Sequence, residues 1–430
     1  MRMEELVSVV VPVHNGEQYL RENIECIVNQ TYKSIEIIYV CDNCTDKTID
    51  ILEEYALSDH RLKICQSETK QGAAISRNMG MKMAAGEWIL FLDSDDLFEL
   101  SMIEKMIGMA EEQKADMCCC FWEEFDKEPV RNASVTNANL KLHCNSYPII
   151  DVSMEEKHIL QLVHDCPWQK LIHKSIYSKN NVFFQDIPNC NDAYFSFISA
   201  VEATRIVYVD EVLVHYRNST GRNTLSEKRK YAKNYVWEAY DKLYRYIDAR
   251  KDNLNLKISF YNRVCTGIFH LAGTALFKVL YDSLRNVYFQ RWQMWDDNIQ
   301  SNLSYFNQEI YKKICAGDLS MDKYLIEMQA KEKFVRDAAG KHSCSIWGCG
   351  NMGKKLLERL NHVNVEIQHI FDSDPNKWGT EINGKYVERF EGKCTDNIII
   401  TASLYYEEIK KQIGKNAGCI VNLEKEIFMY

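Results

Sequence analysis

Apolar and polar residues fall in alternating blocks along the first hundred positions. "LVSVVVPV" (6–13) is continuous and β-branched, the pattern of a strand buried on both faces. "EQYLRENIECIVNQ" (17–30) places Tyr19, Leu20, Ile24 and Ile27 near helical spacing. "IEIIYVCD" predicts a second strand and "TDKTIDILEEYAL" a helix opened by a Thr/Asp cap. "RLKICQS" predicts a third strand, "GAAISRNMGMKMA" a helix and "EWILFLD" a fourth strand. This alternation argues for a doubly wound α/β sheet, in which ligands bind beyond the carboxyl ends of the strands. The polar residues stand at those ends: His14 and Asn15, then Asp42 and Asn43, then Asp93 to Asp96.

Residues 101–225 are less regular and predict mixed strands and helices. From 226 to about 335 the chain turns helical, charged and aromatic, with almost no Gly or Pro. "VCTGIFHLAGTALFKVLY" (264–281), interrupted by His270 and Lys278, predicts a buried helix rather than a membrane span; an interfacial membrane helix is the sharper alternative. A boundary is expected near "RDAAGKH" (336–342). After it, "SCSIWGCGNMGKKLLERL" begins a fresh strand–turn–helix, and "EIQHIFDSDP", "NIIITAS" and "CIVNL" supply further strands. The expected organisation is therefore 1–225, a helical region over 226–340, and a small α/β module over 341–430, about half the length of a full dinucleotide-binding domain.

A length of 430 residues implies two or three domains. Hydrophobic content of 46% and charged content of 26% are those of a globular protein. The net charge of −9 argues against nucleic acid as a partner. "MRMEELVSVVVPVHNG" lacks the features of a secretory signal. The 16 scattered cysteines are then expected to be reduced thiols of a cytoplasmic protein. Cys41-x-x-Cys44 has no second pair at zinc-binding spacing, so it is expected to be two small residues of a βα loop.

The chemistry begins at "WILFLDSDDLF" (88–98), where a buried apolar run drives into Asp93, Asp95 and Asp96. Like charges at a strand end are costly unless something positive lies between them. Asp93-x-Asp95 puts two carboxylates on one side of an extended segment. They suit one Mg²⁺ or Mn²⁺ whose remaining ligands come from a diphosphate. Arg77 has the planar fork that fits a phosphate.

Together "VSVVVPVHNGEQYL", "IEIIYVCDNCTDKT", "GAAISRNMGMKMAAGEWILFLDSDDLF" and "PWQKLIHKSIY", in that order over the first 220 residues, resemble a family 2 glycosyltransferase of the GT-A fold. The resemblance implies an inverting, metal-dependent transfer from a nucleotide-sugar donor, most simply a UDP-sugar, to a glycan or lipid-linked acceptor. It places Pro12, His14 and Asn15 in the loop after the first strand, near the nucleotide base, and Asp42 at the base edge. Cys41 stands where many members carry another Asp. Gly72, Arg77 and Asn78 match the family's G-x-x-x-x-R-N element. Asp93, Ser94 and Asp95 serve ribose and metal, with Asp96 as a neighbour and His215 as a third metal ligand. Arg217 and Arg222 are expected to reach the diphosphate, and Trp168 and Lys170 to floor the acceptor side.

Inverting transfer needs a general base. In "FQDIPNCNDAYFSF" Asp192 aligns with it, although Asn191 replaces the usual preceding acid; Asp186 is the substitute, and a helix N-cap is the structural alternative for Asp192.

In the module, Gly348, Gly350 and Gly353 form G-x-G-x-x-G after a strand, with Asp372 at the end of the next strand, the dinucleotide fingerprint. The module resembles Rossmann-like units appended to bacterial polysaccharide-assembly enzymes, which leaves a nucleotide site and a structural or oligomerising role both open. NAD redox chemistry ranks behind both. A scaffold that binds sugar nucleotides without transfer is the second function class. A nucleotidyltransferase ranks last, because "VPVHNGEQYL" has no basic residue after the first strand. Peripheral association with the inner membrane face and a homo-oligomer are both compatible with the sequence.

Overall fold

The computed structural model describes residues 4–125, 129–130, 148–217, 235–329 and 343–422, with short gaps in the last two spans. Arg222 and the sequence boundaries at 225/226 and 340/341 lie outside the described residues. By their contacts the described residues divide into two compact units, one up to residue 260 and the other from residue 261 on.

The first unit alternates strand and helix as its sequence predicts. The elements are β1 (Val7–Val13), α1 (Leu20–Val28), β2 (Ile35–Asp42), α2 (Thr48–Ser58), β3 (Leu62–Ser67), α3 (Ala73–Met83), β4 (Trp88–Phe91), β5 (Leu97–Phe98), α4 (Met102–Gln113) and β6 (Met117–Phe125). Then come β7 (Pro129–Val130), β8 (Ile149–Asp151), β9 (Lys170–His173), the helix Asn191–Glu202 and β10 (Arg205–Arg217). The ten strands form one mixed sheet, ordered β3-β2-β1-β4-β9-β6-β10-β5, with β7 on β6 and β8 on β10. β1 to β4 are parallel, whereas β9 runs antiparallel to both β4 and β6. Every residue of β1 and β2 is buried, which is why both lack the polar alternation of a one-faced strand.

Two local details differ from the sequence reading. Pro12 lies inside β1, opposite Val40, rather than in the loop. Val10 accepts a hydrogen bond from Leu92 N (3.0 Å), and Pro12 faces the same side, beyond the last paired residue of β4. A proline there removes no ladder bond. Asp192 is not the cap of its helix: Cys190 is, in the left-handed conformation at φ 56°, and Asp192 lies in the first turn.

The opposite end of the sheet is closed by a buried carboxylate. Glu36 accepts from Ser8 Oγ (2.6 Å), Ala85 N (2.6 Å), Gly86 N (3.2 Å) and Lys63 Nζ (2.7 Å). Burial opposes its charge, but the bonds from Lys63, Ser8 and Ala85 outweigh it and hold the carboxyl below its ordinary value. Glu36→Ala orphans the Ala85 N–H, while Gly86 N keeps its bond to Ser8 Oγ (2.9 Å), and is expected to cost about 2 kcal/mol in denaturant melts at pH 7. Because the folded pKa is depressed, this contribution is complete above the ordinary carboxylate range. It fades as pH falls through the folded value, so the wild-type–variant gap should narrow in acid.

The second unit holds helices followed by a smaller sheet. The expected helix over 264–281 is two helices: Leu254–Leu271 ends, Gly273 turns at φ 74°, and Phe277–Ser283 follows. No described helix is long and apolar enough to cross a membrane. The module's strands are β11 (Ser343–Trp347), β12 (Glu366–Phe371), β13 (Glu381–Ile382), β14 (Lys385–Glu388), β15 (Ile398–Ile400) and β16 (Ile420–Asn422), ordered β13-β14-β12-β11-β15-β16. All pair in parallel except β13 with β14.

Candidate active site

The carboxyl ends of β1 to β4 carry a knotted set of polar loops. His14 donates from Nδ1 to the Asp42 carbonyl (2.6 Å), which leaves Nε2 to accept from Lys70 Nζ (2.8 Å). Asn15, at φ 51°, accepts from Thr45 N (2.8 Å). The buried Asp42 carboxylate accepts from Gln71 N (2.6 Å) with one oxygen and Gly72 N (2.8 Å) with the other. Both oxygens of Asp42 are thus engaged by backbone, and they fix the turn that starts α3. That turn needs glycine, since Gly72 has φ 88°. The sequence reading did not single out Lys70; only the fold brings this cation to His14.

Arg77 reaches from α3 to the acidic turn, donating from Nη2 to Asp93 Oδ1 at 2.7 Å. Its side chain is only 6% exposed, lies over the Phe184 ring at 5.4 Å, and leaves Nε buried without a partner. Asp95 and Ser94 are partly exposed, with Ser94 Oγ near the Gly16 loop. Asp96 is fully buried: Oδ1 accepts from Arg217 N (2.8 Å) and Oδ2 has no partner. Burial, then the charges of Asp95 and Asp93, push its carboxyl well above the ordinary range and favour the neutral acid. The repulsion among the three carboxyls is thus eased, because Asp93 pairs with Arg77 and burial disfavours the charged form of Asp96.

Arg217 does not reach outward to a diphosphate. Its guanidinium lies between the rings of Tyr19 (4.4 Å) and Phe125 (4.6 Å), and donates to the Asp95 carbonyl (2.8 Å) and Glu22 (2.8 Å). His215 has a carboxylate on each ring nitrogen, Glu99 at 2.8 Å and Glu123 at 2.9 Å, and neither is Asp93 or Asp95. Among the described residues no group of three or more His, Cys, Asp or Glu side chains has metal-holding geometry.

On the other side, Lys170 is interior rather than an acceptor contact. It has 0% exposure and donates to the carbonyls of His164 (2.7 Å) and Cys166, so it is a strut for the 164–166 loop. A lysine reads as surface in sequence; here two carbonyls replace its water. Trp168 stacks on Tyr216 (5.8 Å, 12°) and meets Trp122 edge-on (5.3 Å), an aromatic group assembled from β10 and β6 that spacing does not reveal.

One packed block relates the two sides. Asn78 of α3 exchanges two 2.9 Å hydrogen bonds with the backbone of Phe184. Phe184 stacks on Phe195 of the Asn191–Glu202 helix (4.1 Å) and meets Phe91, the last residue of β4, edge-on (4.9 Å). Arg77, Asp93 and Asp192 are thus carried by elements that pack on each other. The Cys166 thiol is raised chiefly by burial, opposed by Lys170, with lesser upward contributions from the charges of Asp165, Asp192 and Asp93. Asp186 is exposed on the loop before the helix.

In the module, Gly348 follows β11 at φ 107°, and a Cβ on Gly353 would stand 1.9 Å from the Gly348 carbonyl oxygen, so only glycine fits there. Open space surrounds the Cβ position of Gly350. Asp372 is spent on its own loop: it accepts from Cys349 N (2.9 Å), Cys349 Sγ (3.0 Å), Lys377 Nζ (3.1 Å) and Asp374 N (2.9 Å). Burial opposes its charge, but these bonds prevail and lower its pKa to about 2. Its carboxylate is therefore not presented free to a ribose.

Compared with known proteins, residues 8–179 match the family model described as Glycosyl transferase family 2. Residues 340–422 match the one described as C2185-like, N-terminal. Glycosyltransferase GlyG of Streptococcus pneumoniae is 31% identical over 232 residues, which cover 51% of this chain and 73% of GlyG. The putative glycosyltransferase EpsH of Bacillus subtilis is 33% identical over 218 residues, 49% of this chain and 60% of EpsH. The crystal structure of S. aureus TarS in complex with UDP-GlcNAc has a TM-score of 0.58 at 18% identity, covering 76% of this chain and 92% of that one; at this identity the likeness is one of fold.

Proposed function

The chain belongs to glycosyl transferase family 2 and is a transferase, and we propose that it moves a sugar, with inversion, from a nucleoside-diphosphate donor to a glycan hydroxyl. The observation that carries this reading is the packed block in which Arg77 is paired with Asp93 of the acidic turn while Asn78 and Phe184 join α3 to the helix that bears Asp192. TarS structures of like fold hold UDP-GlcNAc and UDP, so a UDP-sugar is the donor class to test first.

In the reaction Asp192 takes the proton of the acceptor hydroxyl as its oxygen bonds to the anomeric carbon. The bond from that carbon to the diphosphate oxygen breaks on the opposite face, and the electron pair leaves with the nucleoside diphosphate. Arg77 holds Asp93 at the turn and puts its guanidinium charge beside the place where a diphosphate would sit. The aromatic group around Trp168 walls the acceptor side. Asp93 and Asp95 are hard oxygen donors and partly exposed, a set that fits Mg²⁺ or Mn²⁺ when phosphate and water complete the shell. A bound ion of this kind would neutralise the departing diphosphate.

The test is release of UDP from a panel of UDP-sugars with Mn²⁺, with and without glycan acceptors. Release that rises with one acceptor, with inverted configuration in the product, is the expected result. Donor binding without release under any condition would overturn transfer in favour of a sugar-nucleotide-binding scaffold.

A further inference from the structure

Asn23 is a polar residue on the buried stripe of α1, beside Leu20, Ile24 and Ile27, with 0% exposure. A buried amide is tolerated only when its hydrogen bonds are made. All of those seen here lead to the acidic turn or to one tyrosine. Nδ2 donates to the Asp93 carbonyl (2.9 Å) and the Asp96 carbonyl (2.9 Å), and Oδ1 accepts from Tyr39 Oη (2.8 Å). The orientation of the amide is fixed by chemistry, because the two carbonyls can only accept. Tyr39 is itself fully buried in β2, and burial raises its phenol well above the ordinary range, so it remains a donor. Arg217 pins the same turn from the other side, at the Asp95 carbonyl and the Asp96 carboxyl. Both ends of the four-residue turn are thus tied to one side chain more than sixty positions away in sequence.

We propose that Asn23, oriented by Tyr39, is a positioning residue that sets the separation of Asp93 and Asp95 and thereby their affinity for a divalent cation with a nucleoside diphosphate. This rests on the function proposed above. Asn23 touches neither ligand. It acts through the carbonyls of the turn, as partners behind metal ligands commonly do.

The alternative is that Asn23 merely fastens α1 to the core. Calorimetry of UDP binding with and without Mn²⁺ separates the two, on wild type, Asn23→Ala and Tyr39→Phe, with a thermal melt of each. Tyr39→Phe keeps the ring and therefore the packing. Asn23→Ala is expected to weaken Mn²⁺-dependent UDP binding by about 10–100-fold. Tyr39→Phe should shift it less and in the same direction, and metal-free binding should not move. A lowered melting temperature with unchanged Mn²⁺ dependence in both folded variants would overturn the positioning role while leaving the transferase reading intact. Wild type that binds no UDP with Mn²⁺ would instead overturn the donor assignment, and the proposal with it.

Discussion

Asp192→Asn is expected to lower kcat for sugar transfer by about 10²–10⁴-fold, with donor affinity unchanged. Asparagine keeps the size and position of the side chain in the first turn of its helix but cannot take the acceptor proton. Asp192 lies on the helix Asn191–Glu202 and is no part of the Arg77–Asp93 pair, so the substitution leaves the turn and that pair in place. UDP release at saturating donor and acceptor measures kcat, and calorimetry with UDP measures the binding that should survive. Asp186→Asn is the control. Its exposed carboxylate lies outside the packed block, so the rate should hold. If the rate fell with Asp186→Asn and not with Asp192→Asn, the base would have to be reassigned.

The second large effect is on binding. Asp93→Asn combined with Asp95→Asn should weaken UDP binding in Mn²⁺ by about 100-fold, or about 2.7 kcal/mol, down to the metal-free level. Asparagine is the better replacement because its amide oxygen can still accept from the nearly buried Arg77, whereas alanine at 93 would leave that guanidinium with neither countercharge nor acceptor. That would confound lost affinity with lost fold. Calorimetry with and without Mn²⁺ makes the comparison. Equal Mn²⁺ enhancement in the double variant and wild type would remove these two acids from any metal role.

Much of this site is legible in the sequence because its parts are local. The all-buried β1 and β2 announce themselves as continuous apolar runs, and the acidic turn follows directly from β4. What the sequence conceals are partnerships across distance. Lys170 looks like a surface charge until two carbonyls close on it. Arg217 looks free until Tyr19 and Phe125, far apart in the chain, sandwich it. The sequence shows three adjacent carboxyls but not that Arg77 pairs with one and that burial disfavours the charge of Asp96. The break at Gly273 escaped because helical periodicity survives on both sides of a single left-handed residue.

The burial of Asp96 has a consequence beyond the turn. Because burial disfavours the charge of Asp96 and Arg77 pairs with Asp93, an incoming donor meets less negative charge at the turn than three exposed carboxylates would present. A diphosphate approaching the turn is repelled less than three exposed carboxylates would repel it, and the salt dependence of its association is correspondingly smaller. The encounter between enzyme and donor is in this respect set by burial of a carboxyl that the donor never touches.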